Sequence, residues 1–272
     1  MRDMLHTVRH GSHVTRHEFK MEKHKKIYFA SDTHFGLDLK ETPIESEKRF
    51  VRWLDSIKQE TETLYLLGDM FDYWFEYKAV VPKGYTRFLG KLAEFTDAGI
   101  PVYIFTGNHD IWMFGYLQEE TGVTVVPKPI EVEIYGKRFY LAHGDGLGDP
   151  SRSFRFMRWF FRNKFCQRLY KTIHPRITVP LGYAWSRRNR KEKMNDETAR
   201  YMGEEKEYLV QFAKSYSKAH DIDYFIFGHR HIMLDLMIPD RKRVVILGDW
   251  IDHFSFAVFD GEQLLLEQYL EE

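Results

Sequence analysis

Short apolar runs punctuate the chain, and most of them stop at a polar loop. Ile27-Tyr28-Phe29-Ala30 runs into Ser-Asp-Thr-His, Leu64-Tyr65-Leu66-Leu67 into Gly-Asp, and Val102-Tyr103-Ile104-Phe105 into Thr-Gly-Asn-His-Asp. Four-residue runs without alternation predict strands buried on both faces. Between the first two, Thr42-Pro43-Ile44-Glu45 joins a capping box to proline at the first helical position, predicting a helix toward Lys58. A second helix is predicted over Tyr85 to Ala98, closed by Gly99. This β-α-β-α rhythm predicts an α/β architecture with a mainly parallel sheet.

The second half changes character. Val132 to Tyr135 alternates, Gly136 turns, and Arg138 to Leu141 returns, a hairpin signal. A charged helix is predicted from about Asn195 to His220. Tyr224–Phe227, Val244–Leu247, Phe256–Phe259 and Leu264–Leu266 follow as strands of a second, mostly antiparallel sheet.

Composition narrows the class. The 272 residues suit one large domain or two small ones, and hydrophobic residues at 43% exclude a disordered polymer. A single cysteine, Cys166, excludes an intramolecular disulfide and fits a reducing cytosol. No stretch approaches ~18 uninterrupted apolar residues, so no transmembrane helix is expected. Residues 1–20 carry His6, His10, His13 and His17 but no apolar signal region, and read as a tail outside a domain spanning residues 21–272.

Net charge is zero, which hides a local asymmetry. Ser151 to Lys193 holds thirteen Lys or Arg against one acid, Glu192, and nine aromatics. Such a segment inside an otherwise acidic chain reads as an insert with its own partner. Arg155, Arg158 and Arg162 interleave with Phe154, Trp159, Phe161 and Phe165, predicting an amphipathic helix with a cationic rim. That helix suits a membrane interface, a lid over acyl chains, or plain packing on the body. Nucleic acid is not the expected partner, because the aromatics fall at helical rather than strand-face spacing. His174-Pro175, Pro180 and Gly182 are expected to divide the insert into at least two helices.

The chemistry lies in where acids and histidines fall. Asp32 and His34 follow the first strand, Asp69 and Asp72 the second, and Asn108, His109 and Asp110 the third. His143 follows the hairpin strand, and His229 and His231 the next. Five strands thus deliver metal-type ligands at their carboxyl ends, where α/β sheets open a crevice. A pair of divalent ions ~3.5–4 Å apart needs a shared ligand, for which a carboxylate is suited. Mixed imidazole, carboxylate and amide donors favour Mn, Fe or Zn over Mg.

Asp32-Thr-His34, Gly68-Asp69-Met-Phe-Asp72, Gly107-Asn108-His109-Asp110, Ala-His143-Gly-Asp and Gly228-His229-Arg-His231 together resemble the five blocks of the calcineurin-like metallophosphoesterases. The resemblance implies an α/β fold, a two-sheet α/β/β/α sandwich, here with a helical lid insertion over about 151–193. It assigns Asp32, His34, Asp69 and His231 to one ion, and Asp69, Asn108, His143 and His229 to the other. His109 is then expected at the leaving group or transition-state oxygens, oriented by Asp72. Manganese is the expected cofactor, with Fe or Zn also suited.

Within that family, Asp72-Tyr73-Trp74, the basic aromatic insert, Asn195 to Thr198 and Leu247-Gly248-Asp249-Trp250 resemble the lipid A pathway pyrophosphatases. That likeness implies cleavage of UDP-2,3-diacylglucosamine, a lipid-linked sugar nucleotide, to UMP and 2,3-diacylglucosamine 1-phosphate. It also implies a cytoplasmic enzyme peripheral at the inner face of the inner membrane, bound there through the insert. Asp149, Arg190, Lys193 and Asn195 are expected substrate contacts. One difference stands out: a branch of these pyrophosphatases carries arginine where His109 stands. Rival readings are a phosphodiesterase or phosphatase for a soluble nucleotide or phosphoprotein, and a noncatalytic metal-binding adaptor.

Overall fold

The computed structural model describes residues 25–148, 151–194, 200–201 and 203–271. β1 (Lys26–Ala30), β2 (Thr61–Leu66), β3 (Val102–Phe105) and β4 (Thr124–Val126) run parallel in sequence order, linked by α1 (Pro43–Ile57), α2 (Thr86–Asp97) and α3 (Tyr116–Thr121). Thr42 caps α1 through its hydroxyl, which accepts from the Glu45 amide, with Pro43 behind it as the sequence predicts. β5 (Ile130–Ile134) and β6 (Lys137–Ala142) form the predicted hairpin, its turn made by Tyr135 and Gly136 at positive φ.

Two sheet assignments differ from expectation. β10 (Ser255–Phe259) and β11 (Leu264–Gln268) join the first sheet, where β10 pairs antiparallel with β1, giving the order β11-β10-β1-β2-β3-β4. The second sheet is mixed rather than mostly antiparallel. Its order is β5-β6-β7-β9-β8, with β7 (Tyr224–Phe227) parallel to both β6 and β9 (Lys242–Leu247), and β8 (Met233–Ile238) antiparallel at the edge.

Alternation along each strand then builds four layers. Ile27, Phe29, Tyr65 and Phe105 face Phe139, Leu141, Ile226 and Val245 between the sheets. Tyr28, Leu64 and Leu66 point the other way, onto Phe50, Trp53 and Phe88 of α1 and α2. Phe225, Phe227 and Val244 pack under α7 (Tyr208–Tyr216). Each fully buried side chain of this size contributes roughly 1.5–3 kcal/mol, which is why the central strands read as unbroken apolar runs.

The charged helix expected from about Asn195 to His220 is shorter. Among the described residues it is α7 alone, because Gly203 takes φ 98° and the chain turns through to Glu207. The insert forms three helices: α4 (Arg152–Arg162), α5 (Lys164–Thr172) and α6 (Pro175–Met194). Asn163 caps α5, and Pro175 opens α6, while Pro180 and Gly182 lie inside α6 instead of breaking it.

The insert sits on the β2–β3 connection. Tyr73 and Tyr170 hydroxyls lie 3.0 Å apart, and Tyr77–Thr178 and Tyr85–Tyr183 make the same kind of bond. A Cβ at Gly182 would run into the Tyr73 ring, so only glycine lets α6 approach this closely. Arg158 and Arg162, read as an outward cationic rim, instead reach the buried Asp145 at 2.9 and 3.4 Å. Phe161 also turns inward, against Trp112 and Trp185.

A candidate metal centre

The polar loops after β1, β2, β3, β6 and β7 meet at one end of the sandwich. Their backbones are unusual there: Asp32, His34, Asp69, His229 and His231 all have positive φ, between 45° and 69°. For residues other than glycine this left-handed conformation is strained, and such strain gathers at functional sites. Neighbouring glycines make the room. A Cβ on Gly107 would collide with the Asp69 carboxylate and amide, so the β3 loop closes on Asp69 only with glycine in place.

Two groups of potential donors form. Asp32, His34 and His231 bring one atom each to within 4.8 Å of one another, and Asp69, His143 and His229 do the same. Asp69 lies between them, with Oδ2 at 3.3 Å from His143 Nε2 and 3.7 Å from His34 Nε2. Asn108 Oδ1 stands 3.4 Å from His143 Nε2. All seven expected ligands therefore share one cluster. A third group, His34, Asp72 and His109, lies beside it.

The imidazoles are held by their far nitrogens. His143 Nδ1 donates to the Leu67 carbonyl at 2.8 Å, and His231 Nδ1 to Asp249 Oδ2 at 3.1 Å. A carbonyl or carboxylate accepts only, so each contact fixes the tautomer and leaves the Nε2 lone pair for a ligand. In keeping with this, His231 Nε2 lies 3.4 Å from Asp32 Oδ1, and His34 Nε2 lies 3.6 Å from the same oxygen. That oxygen is buried and accepts no hydrogen bond. A divalent transition ion among these atoms would satisfy the orphaned carboxylate oxygen and the imidazole lone pairs together, so the donor set fits.

Electrostatics match a cation site. Burial opposes ionisation of Asp69, but His143, His109 and His34 outweigh it and hold the carboxyl well below its usual range. Burial likewise opposes a charge on His143, yet the Asp69 anion drives that imidazole up to about 10 in the metal-free chain. Asp32 is pushed up, first by burial and further by Asp69.

His109 is tethered differently from the expected view. Its Nδ1 donates to the main-chain carbonyl of Asp72 at 2.9 Å, while the Asp72 carboxylate is 3.9 Å away. That carboxylate instead accepts from Ser186 of α6 at 2.7 Å. Sequence reasoning missed Ser186, which sits inside the insert with no motif around it. It also gave no role to Asp249, and it counted Asp110 only among the metal-type residues after the third strand, whereas the Asp110 carboxylate accepts amides from Gly107, Met70 and Phe71 and so pins the β2 and β3 loops together. Both acids follow the same signal as the ligands, a strand ending in a polar turn.

Of the other expected substrate contacts, Asp149 and Asn195 lie outside the described residues. Arg190 and Lys193 fall on the last turns of α6, with their side chains outside the described set.

Beside His109 opens a cavity of about 570 Å³. Asp72, Asn108 and His109 form its polar end, and Trp112, Phe160, Leu169 and Trp185 line its length. Among the described residues no helix is long and apolar enough to cross a membrane. The insert nevertheless exposes Phe156, Trp159 and Phe165 at 66%, 59% and 74%.

Fold, cluster and cavity together define a metal-dependent phosphoesterase. The calcineurin-like phosphoesterase family matches residues 25–233, and the chain belongs to it. It is similar to UDP-2,3-diacylglucosamine hydrolase of Porphyromonas gingivalis, at 46% identity over 89% of this chain and 97% of that one. The enzyme of the same description from Haemophilus influenzae is 26% identical over 85% of this chain and 93% of its own. A solved phosphoesterase from E. coli aligns over 88% of this chain and 90% of its own, at 15% identity and a TM-score of 0.43.

Proposed function

We propose that the protein hydrolyses the diphosphate of UDP-2,3-diacylglucosamine, giving UMP and 2,3-diacylglucosamine 1-phosphate. The observation that carries this reading is the apolar cavity running from His109 beneath the insert, which offers acyl chains a channel ending at the donor cluster. A soluble nucleotide or phosphoprotein has no use for such a channel. The 46% identical relative of that description supports the same substrate.

Two divalent ions, manganese in this reading, would supply Lewis acidity and lower the pKa of a bound water toward neutrality. Asp32, His34, Asp69 and His231 would hold one; Asp69, Asn108, His143 and His229 the other. His109, anchored at Nδ1 by the Asp72 carbonyl, acts through its remaining nitrogen, which in the imidazolium form donates its N–H to the phosphoryl oxygens or the departing group. Asp72, fixed by Ser186, sits 3.6 Å from His34 Nδ1 and ties the insert to the centre. Phe161 and Trp112 exclude water from the acyl side. The exposed Phe156, Trp159 and Phe165, flanked by the insert's positive charge, form the face that meets an anionic membrane surface from the cytoplasmic side.

The test is release of UMP from detergent-dispersed UDP-2,3-diacylglucosamine with Mn supplied, compared with a soluble sugar nucleotide. Preference for the diacylated substrate, abolished by chelation, is expected. Equal turnover of both would overturn the lipid reading and leave a general phosphodiesterase.

A further inference from the structure

Helix α6 is a wall with two differently used faces. Leu181, Gly182, Trp185 and Ser186 line the apolar cavity. Pro180, Tyr183 and Arg187, at i, i+3 and i+7, line a second pocket of about 230 Å³, closed on its other side by Gly36, Leu37 and Asp38. Asp72 is the one residue the two pockets share. They therefore approach each other at the edge of the donor cluster, where Asp72 lies 3.6 Å from His34 Nδ1.

The linings differ in chemistry as well as size. The larger pocket is walled mostly by aromatics and leucines, and its two arginines, Arg158 and Arg162, are paired with Asp145; the smaller carries Arg187 and Asp38, both exposed. Neither makes an ion pair among the described residues, so both charges remain available to a ligand. A volume below the ~300 Å³ of ordinary small-molecule sites fits a fragment, not a whole lipid-linked substrate. A diphosphate ester with one apolar and one polar end would lie across Asp72 with its ends in opposite pockets.

We propose that the pocket between the 36–38 loop and α6 is the nucleoside monophosphate subsite, with Arg187 on phosphate oxygens and Asp38 accepting from ribose hydroxyl or base N–H groups. The proposal rests on the diphosphate-hydrolase reading above. A guanidinium holds phosphate oxygens in a fixed fork, whereas an aspartate recognises donors, the complement a ribose and a pyrimidine imide present.

The experiment compares the Mn-loaded protein with its Arg187→Ala and Asp38→Asn variants. It measures KM and kcat for UDP-2,3-diacylglucosamine, inhibition by UMP and by inorganic phosphate, and UMP binding by calorimetry. Arg187→Ala is expected to raise KM and to weaken UMP about tenfold or more, the loss of one charge-assisted contact. Asp38→Asn is expected to weaken UMP severalfold while inhibition by inorganic phosphate moves less than about twofold. Unchanged UMP affinity in both variants, or equal loss of UMP and phosphate affinity in both, would overturn the subsite. Failure of the unmutated protein to turn over the lipid would instead overturn the substrate reading, and calorimetry with UMP would still decide the pocket.

Discussion

Asp249 Oδ2 stands 3.1 Å from Nδ1 of His231 and thereby decides which nitrogen His231 offers to the donor cluster. The other carboxylate oxygen of Asp249 accepts the amides of Ile251, Asp252 and His253, so the acid is locked from both sides. Asp249→Asn keeps the shape but can turn its amide N–H toward Nδ1. The proton of His231 would then move to Nε2 and block the lone pair. Metal affinity is expected to fall ~10–100-fold, with activity restored at saturating metal. Titration of the metal-free variant with Mn, read by both binding and turnover, checks this. Unchanged affinity would reduce Asp249 to a loop-ordering role.

His109 separates rate from metal content. Its Nδ1 is occupied by a main-chain carbonyl and it belongs to neither of the two groups centred on Asp32 and Asp69. His109→Ala should cost on the order of 10²–10⁴ in turnover. The metal bound per chain, measured by mass spectrometry of the purified variant, should equal that of the unmutated protein. Loss of one ion would make His109 a ligand.

The Asp69–His143 pair sets a pH dependence in the metal-free chain. His143 is raised from 6.5 to about 10, so the folded state holds its proton more tightly than the unfolded chain. The stability this provides is fully present below pH 6.5 and is lost as pH rises through 10. The melting temperature of chelator-treated protein should therefore fall between about pH 7 and pH 10. Added divalent metal should flatten the decline, since the ion takes the place of the proton. A melting temperature independent of pH in the stripped protein would show that the pair is not charged as described.

The insert's aromatics divide into two sets with different consequences. Phe156 and Trp159 are 66% and 59% exposed, whereas Phe161 packs on Trp112 and Trp185 at the cavity. Changing Phe156 and Trp159 together to Ser should weaken binding to anionic vesicles, an attraction further reduced by salt as charges are screened beyond ~10 Å at 0.1 M. Phe161→Ser should raise KM for a long-chain diacyl substrate and leave vesicle binding near its original level. Co-sedimentation and steady-state kinetics on the same preparations check both. Vesicle binding lost only in Phe161→Ser would reverse the assignment of faces.

Much of the fold and of the donor cluster is legible in the amino-acid sequence. Strands buried on both faces leave no alternation, so Ile27–Ala30, Leu64–Leu67 and Tyr224–Phe227 stand out, and the residues that follow them must lie at the sheet's carboxyl edge. That is why the cluster can be read position by position. Sheet membership cannot, because β10 pairs with β1 across more than two hundred residues and no local signal records it. The edge strand β8 leaves only a half-buried, mixed pattern, which no strand rule picks out. Pro180 has the mark of a helix break, yet an exposed proline costs one hydrogen bond that the packing of Tyr183 and Trp185 outweighs. Ser186 and Asp249 act through contacts made by folding, and neither carries a spacing that names its partner.

The two-faced helix also constrains how this chain can change over time. Each residue along α6 advances the helix by about 100°, so seven of the eight positions from Pro180 to Arg187 line one pocket or the other by rotation alone. A substitution on one face leaves the opposite lining untouched, and the two ends of a ligand can be retuned separately. One inserted or deleted residue does the reverse. It turns Trp185 and Leu181 away from the apolar channel, swings Arg187 off the polar pocket and pulls Ser186 from Asp72 in a single step. Variation in this segment is therefore expected as exchanged residues at constant length, while length changes collect in the loops at either end of the helix.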